Sequence, residues 1–352
     1  MVTPARRPER HAASRTRRIL IKDGAMILVC GGAGYVGSHM VRALVERGEP
    51  PVVIDNFRTG YKAAVHPQAV FHQGDIRDRA ALDAVFSGHD IDAVVHFAAS
   101  TQVGESVQKP LEYFNNNVVG MQVLLEAMAA HGITRLVFSS SAAVYGDPAS
   151  VPIMEDAPMA PTSPYGETKR MMEEIMRWVG PANNIRSVSL RYFNVAGAVD
   201  DGALGEAHSP ESHLIPLILQ VPLGQRSHIT VFGDDYDTPD GTCIRDYIHV
   251  TDLTDAHILA LDYLARGGES GVFNLGNGTG FSVREVITAA EMVTGRPIPS
   301  VTAGRRAGDP ARLVASSAKA EHVLGWKPSR SGLDNIIRTA WGWHSSHPDG
   351  YA

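Results

Sequence analysis

Between residues 26 and about 193, apolar residues fall in short, nearly unbroken blocks: MILVC at 26–30, PVVID at 51–55, AVVHFAA at 93–99, RLVFSSS at 135–141 and SVSLRYF at 187–193. A strand with one wet face alternates apolar and polar residues, whereas blocks without alternation are buried on both faces. Helical patterns separate them at roughly 38–47, 117–131 and 165–179, and Gly48 and Gly132 supply the stops of the first two. Strands buried on both sides and alternating with helices predict an α/β fold, a doubly wound parallel sheet.

After Phe193 the rhythm breaks into long Gly-, Pro- and Asp-rich connections, such as GDDYDTPDGT at 233–242, before a strand-like YIHV and a helix near 252–265. Long connections are where binding loops are found. The expected partition is a nucleotide-binding domain over 26–195, with segments around 243–275 returning to it. A smaller mixed α/β substrate-binding domain is expected from 196–242 and 276–345. Residues 1–25 stand apart: MVTPARRPERHAASRTRR carries six arginines and one acidic residue, so they are read as a disordered arm or an upstream start.

Composition narrows the functional classes. The 352 residues are 44% hydrophobic and 20% charged, with a net charge of −6, which gives no electrostatic reason to expect nucleic acid or an anionic membrane as partner. No apolar run reaches the roughly 20 residues of a membrane helix. Cys30 and Cys243 lie far apart and outside any metal-spaced pattern. The reading is a soluble cytoplasmic protein, with no metal site expected.

The chemistry begins at VCGGAGYVGSHMV, 29–41, where Gly31, Gly34 and Gly37 follow a strand and open a helix. Removing β-carbons there lets the chain turn tightly and lets a pyrophosphate approach backbone N–H groups at the helix N-terminus, the Rossmann-type arrangement. Asp55 closes the next strand, 18 residues past Gly37, where a carboxylate accepts hydrogen bonds from ribose hydroxyls and repels a 2′-phosphate. NAD is therefore expected over NADP, although Arg58 tempers the preference. In GDIRD, Asp75 is placed to accept from the adenine amino group and Ile76 to pack on the adenine ring.

Tyr165 and Lys169 stand four apart in SPYGETKRMMEE, so they share one helix face. A free tyrosine, with a pKa near 10, is a poor base at neutral pH, but a neighbouring cation and the positive nicotinamide favour its phenolate. Such a pair can remove an alcohol proton while hydride leaves the same carbon. Ser141 ends the strand of FSSSAAVYG, at the sheet edge where ligands bind.

Taken in order, the glycine fingerprint, Asp55, VVHFAA, SSSAAVYG, Tyr165–Lys169 and RYFNVAGA resemble the extended short-chain dehydrogenase/reductase superfamily. VGESVQKPLEYFNNNV, VFGDDYDTPDGTCIRDYIHVTDL and RRAGDPA narrow the resemblance to its UDP-glucose 4-epimerase family, from about Met26 to HPDGY near the end. That resemblance implies an enzyme with retained NAD that interconverts UDP-galactose and UDP-glucose through a 4-ketopyranose. Tyr165 would take the 4-hydroxyl proton, hydride would pass to NAD and return to the other face, Lys169 would lower the phenol's pKa and hold the nicotinamide ribose, and Ser141 would assist. Contacts to NAD are implied for Gly31, Gly34, Tyr35, Val36, Gly37, Asp55, Asn56, Asp75, Ile76, Phe97, Ala98, Ala99, Asn116, Lys169 and Tyr192 or Phe193. Contacts to the UDP-sugar are implied for Ser141, Tyr165, Asn194, His213, Leu214, Thr230, Val231, Phe232, Arg245, Arg306, Asp309 and Leu313. A homodimer packed through helices near 117–131 and 165–179 is also implied.

The sequence departs from the family in three places. Thr101 stands where several members carry a lysine, and His213 replaces an asparagine but still offers a donor to phosphate. Leu313 is intermediate between the tyrosine that excludes an N-acetyl group and the small residue that admits it, so a preference for UDP-glucose and UDP-galactose is expected. The rival readings are epimerisation of another UDP-sugar, such as an N-acetylhexosamine or a pentose, and a non-catalytic NAD sensor. A dehydratase is disfavoured because Ala142 and Ala143 stand where its acid–base pair belongs.

Overall fold

The computed structural model describes residue 22, residues 24–306 and residues 309–351. Of the arm predicted over 1–25, residues 1–21 and 23 lie outside the described residues. The apolar blocks form strands β1 (Met26–Cys30), β2 (Val52–Asp55), β4 (Ile91–His96), β5 (Arg135–Ser139) and β6 (Arg186–Tyr192), and β3 (Val70–Gln73) follows β2 in the chain. With a seventh strand, Gly271–Leu275, they make one parallel sheet in the order Gly271–Leu275, β6, β5, β4, β1, β2, β3.

Side-chain parity builds the layers. Ile27, Val29, Val53, Val95 and Val137 face helices Tyr35–Glu46 and Val250–Ala265, packing on Met40, Leu44, Leu253 and Leu261. Their neighbours Leu28, Val52, Ile54, Val94 and Leu136 face helices Arg79–Gly88, Gly120–Ala130 and Pro164–Asn183, packing on Leu82, Leu124 and Met172. This two-sided burial is why the blocks lack alternation. The two strands without an apolar-block signal, β3 and Gly271–Leu275, are the edges of the sheet, where cover is thinner.

Helix boundaries differ from the expectation for local reasons. The first helix starts at Tyr35 because the glycine turn itself is its entry, with Gly34 as N-cap. The segment predicted as helix from 117 begins as a wide π-helical turn over Phe114–Val119. Within it Asn117 turns inward, its Nδ2 donating to Ser100 O at 3.1 Å and Thr168 Oγ1 at 2.9 Å. The helix expected to end at 179 runs through Pro181 to Asn183, and Asn184 stops it in the left-handed region at φ 54°.

A second core lies beyond the sheet. Helices Leu214–Leu219, Val283–Thr294 and Leu333–Ser346 bury Ile215, Ile218, Val286, Ile336 and Ile337 against one another. The parallel strand pair Ile229–Phe232 and Ser300–Ala303 adds Ile229 and Val231 to it.

Helix Pro164–Asn183 is fastened to the sheet by a buried ion pair. Arg191 of β6 grips Glu173 with Nε at 3.0 Å and a terminal nitrogen at 2.6 Å, their side chains only 4% and 7% exposed. Ser140 Oγ donates to the same carboxylate at 2.5 Å, and Arg191 also reaches Tyr145 Oη at 2.8 Å. Removing one partner of such a pair strands the other charge. Glu173→Gln is expected to lower unfolding stability by about 3–5 kcal/mol, read from urea denaturation.

Candidate active site

At the carboxyl ends of the strands, strand order reverses on either side of β1, and a crevice opens there as it must in an open α/β sheet. It is a cleft of about 690 Å³, lined from both cores. Every residue named for NAD contact lines it, as do Ser141, Tyr165, Asn194, His213, Arg245, Asp309 and Leu313.

The three glycines have different reasons to be glycine. Gly31 sits at φ +84°, and a β-carbon on it would stand 2.6 Å from Ala98 N. One on Gly37 would stand 2.0 Å from Gly31 O, so both are demanded by the protein's own packing. Gly34 meets nothing closer than 3.5 Å, so its bareness leaves room in the cleft for something that is not protein. Behind it the helix Tyr35–Glu46 has no side-chain cap on its leading N–H groups, as an anion cradle requires. Asp55 accepts from Ala33 N at 3.0 Å and Phe57 N at 2.8 Å, one on each oxygen. About two of its four acceptor positions stay free for ribose hydroxyls. These residues fit NAD.

Asp75 differs from its expected role. Its carboxylate accepts from Arg77 Nε, a terminal Arg77 nitrogen, Arg77 N and Asn56 Nδ2, at 2.6–2.9 Å. The Arg77 fork holds this carboxyl well below the usual carboxylate range. With four donors on it, Asp75 shapes the cleft wall, and an adenine amino group would have to displace one of them.

Ser163 caps the helix that carries the reactive pair, its Oγ accepting from Gly166 N at 3.2 Å, and Pro164 occupies the first turn. Tyr165 and Lys169 therefore point into the cleft one turn apart. Burial pushes the Tyr165 phenol up, and a hydrogen bond with Ser141 pulls it down. Burial takes Lys169 down to about 7, opposed by the charge of Glu173 one turn on. Lys169 Nζ donates to Ser139 O at 2.7 Å and lies 5.9 Å from the Tyr165 ring centroid. The lysine is thus aimed across the cleft floor without a direct bond to the phenol.

Five residues named for the sugar nucleotide do not line the cleft. Val231 is buried in the second core, because along Ile229–Phe232 alternate residues point inward. Leu214 packs against the same core, and Thr230 and Phe232 lie on the opposite face of that strand. The Arg306 guanidinium stacks over Phe232, 4.1 Å from its ring centroid. Asp309 pairs with Arg245 rather than with Arg306.

Sequence reasoning passed over two groups. Asn117 ties the 100–101 loop to the reactive helix, a role set by tertiary contacts alone. Glu206, His208 and Glu211 gather round His213 on the cleft wall. Burial depresses both imidazoles, but the two glutamates outweigh it and lift His208 to about 9 and His213 to about 10. The spacing E-x-H-x-x-E-x-H in EAHSPESH was the available signal.

Comparison with known proteins agrees with this geometry. Residues 27–276 match the NAD dependent epimerase/dehydratase family. The UDP-glucose 4-epimerase of Streptococcus mutans is 57% identical over 327 residues, 92% of this chain and 98% of that protein. A crystal structure of a UDP-glucose 4-epimerase superposes with a TM-score of 0.92 at 54% identity, covering 93% of this chain and 99% of that one. The Bifidobacterium longum UDP-glucose 4-epimerase, solved with NAD+ and UDP, gives 0.87 at 40% identity, covering 93% and 100%. The chain belongs to the NAD dependent epimerase/dehydratase family, and NAD is its cofactor. Within that family it belongs with the UDP-glucose 4-epimerases, so it is an isomerase.

Gly34→Ala is expected to keep the wild-type unfolding midpoint yet retain NAD about tenfold less well through purification. Gly37→Ala is expected to lose about 1–3 kcal/mol of stability. Lys169 binds its proton with a pKa of about 7 when folded against an ordinary 10.5. Between those values the unfolded chain holds more protons, so stability rises with pH across that window. Lys169→Met is expected to exceed wild type by on the order of 3–5 kcal/mol at pH 6 and to lose that advantage by pH 10.5, in urea unfolding at both pH values.

Proposed function

We propose that the Ser141–Tyr165–Lys169 cluster carries out the interconversion of UDP-galactose and UDP-glucose, with Tyr165 as the base on the sugar's 4-hydroxyl. The observation that carries this reading is convergence: the proton-transfer group and the dinucleotide cradle face each other in one cleft. When bound, NAD supplies the hydride acceptor, returns the same hydride, and adds a positive charge. Tyr165 takes the proton as the sugar becomes a 4-ketopyranose, and gives it back when the opposite face is reduced. Ser141 steadies the phenolate through its hydrogen bond, and Lys169 puts a cation on the cleft floor at low and neutral pH. Because the proton and the hydride both return to the sugar, no net redox occurs.

Arg245 and Asp309 serve the sugar-nucleotide end. The guanidinium fork suits a pyrophosphate, and the carboxylate it holds suits a ribose hydroxyl. Leu313 lines the same end and limits the room for an N-acetyl group. A homodimer is proposed through the helices near 117–131 and 165–179. Trp178 is 67% exposed there, while Met176 is buried. Val107 and Leu111, on the short helices Val103–Gln108 and Pro110–Tyr113, are also exposed. A cytoplasmic setting is proposed as well, and no described helix is long and apolar enough to cross a membrane.

Purified protein given UDP-galactose and no added NAD is expected to form UDP-glucose, followed by chromatography, with UDP-N-acetylglucosamine turned over more slowly. Tyr165→Phe is expected to keep its NAD and lose about 10²–10⁴-fold in rate. No conversion by wild type, even with NAD supplied, would overturn the reading.

A further inference from the structure

Residues 206–213, EAHSPESH, run along the cleft wall and bring two carboxylates and two imidazoles together. One donor atom from each of Glu206, His208, Glu211 and His213 lies within 4.8 Å of the other three. Carboxylate and imidazole alternate around a ring. Glu206 Oε1 is 2.9 Å from His213 Nδ1, which is 3.2 Å from Glu211 Oε1. Glu211 Oε2 is 3.4 Å from His208 Nδ1, which is 3.3 Å from Glu206 Oε1. Neighbouring donors in the ring stand 2.9–3.4 Å apart, close to the roughly 3.3 Å between donors held about 2.0–2.1 Å from a tetrahedral zinc ion, and the wider set, within 4.8 Å, would draw together on the ion.

His208 Nδ1 is inaccessible to solvent and stands between both glutamates, 3.3 and 3.4 Å from their oxygens, aimed into the ring. The glutamate side chains are only 5% and 8% exposed, so the ring must hold positive charge, either as protons on the two imidazoles or as a bound cation that displaces them. The loop is also held in place from outside the ring. Trp343 Nε1 donates to Glu206 O at 3.0 Å, and Ser212 N and His213 N donate to Glu211 Oε1 at 2.7 and 2.8 Å.

We propose that Glu206, His208, Glu211 and His213 bind one divalent transition-metal ion, zinc being the ion this donor set suits best. Two imidazole nitrogens and two carboxylate oxygens match zinc, whereas magnesium and calcium take oxygen ligands. The ion neutralises the two buried carboxylates and clamps the loop, and with it one wall of the cleft. The site stands independently of the epimerase reading, because its test reads metal and not turnover.

Purified NAD-bound protein, stripped with chelator and dialysed against zinc, is expected to hold one zinc per chain by atomic absorption. His208→Gln and Glu211→Gln are each expected to bind it about tenfold more weakly or worse. His72→Gln is expected to behave as wild type, although His72 and His89 form another imidazole pair, 2.9 Å apart. Cobalt in place of zinc is expected to give intense tetrahedral visible bands in wild type and not in the two ring variants, with circular dichroism confirming that each is folded. Absence of stoichiometric zinc in wild type, weak octahedral cobalt bands, or equal zinc binding by a folded ring variant would overturn the proposal.

Discussion

A guanidinium and a carboxylate buried together beneath the cleft, Arg191 and Glu173, join the sheet to the helix on which the chemistry depends. Tyr165, Lys169 and Glu173 follow one another at intervals of four, so one helix face presents a phenol, an ammonium and an anchor in line. Fixing the anchor to β6 sets the rotation of the helix, and the rotation sets where the phenol points. The same carboxylate opposes the loss of charge on Lys169. A packing contact and the tuning of a reactive group are here one interaction.

The other half of the cleft obeys a steric constraint rather than an electrostatic one. Gly31 and Gly37 let the first turn press against the 97–98 backbone and against itself, and this leaves the face of Gly34 open. Two glycines make the turn, and the third is spare for a ligand. Asp55 is half committed to the turn and half free, so it both closes the loop and faces the cleft.

Local spacing made much of this legible in the sequence. The glycine fingerprint, the Tyr165–Lys169 step and the Ser141 strand end each lie within a few residues, and helix or strand periodicity alone places them. What escaped detection depends on partners distant in the chain. The strand Gly271–Leu275 has no apolar block because it is an edge, and Asn117 is informative only once Ser100 and Thr168 are beside it. The Val231 side chain turns into the second core, and inward and outward positions of a four-residue strand cannot be told apart without its neighbours. Asp309 takes Arg245 as its partner, which the fold brings to it from 64 residues away, beyond any local spacing.

After β6 the chain leaves the sheet, builds part of the second core through Leu214–Leu219 and Ile229–Phe232, and only then returns to lay down Val250–Ala265 and Gly271–Leu275. The nucleotide-binding half is therefore not a contiguous stretch of sequence. A fragment ending near 195 would leave the ladder of β6 bare on one side and Leu190 without the Leu253 layer above it. A cut there would divide one continuous hydrophobic cluster between two fragments.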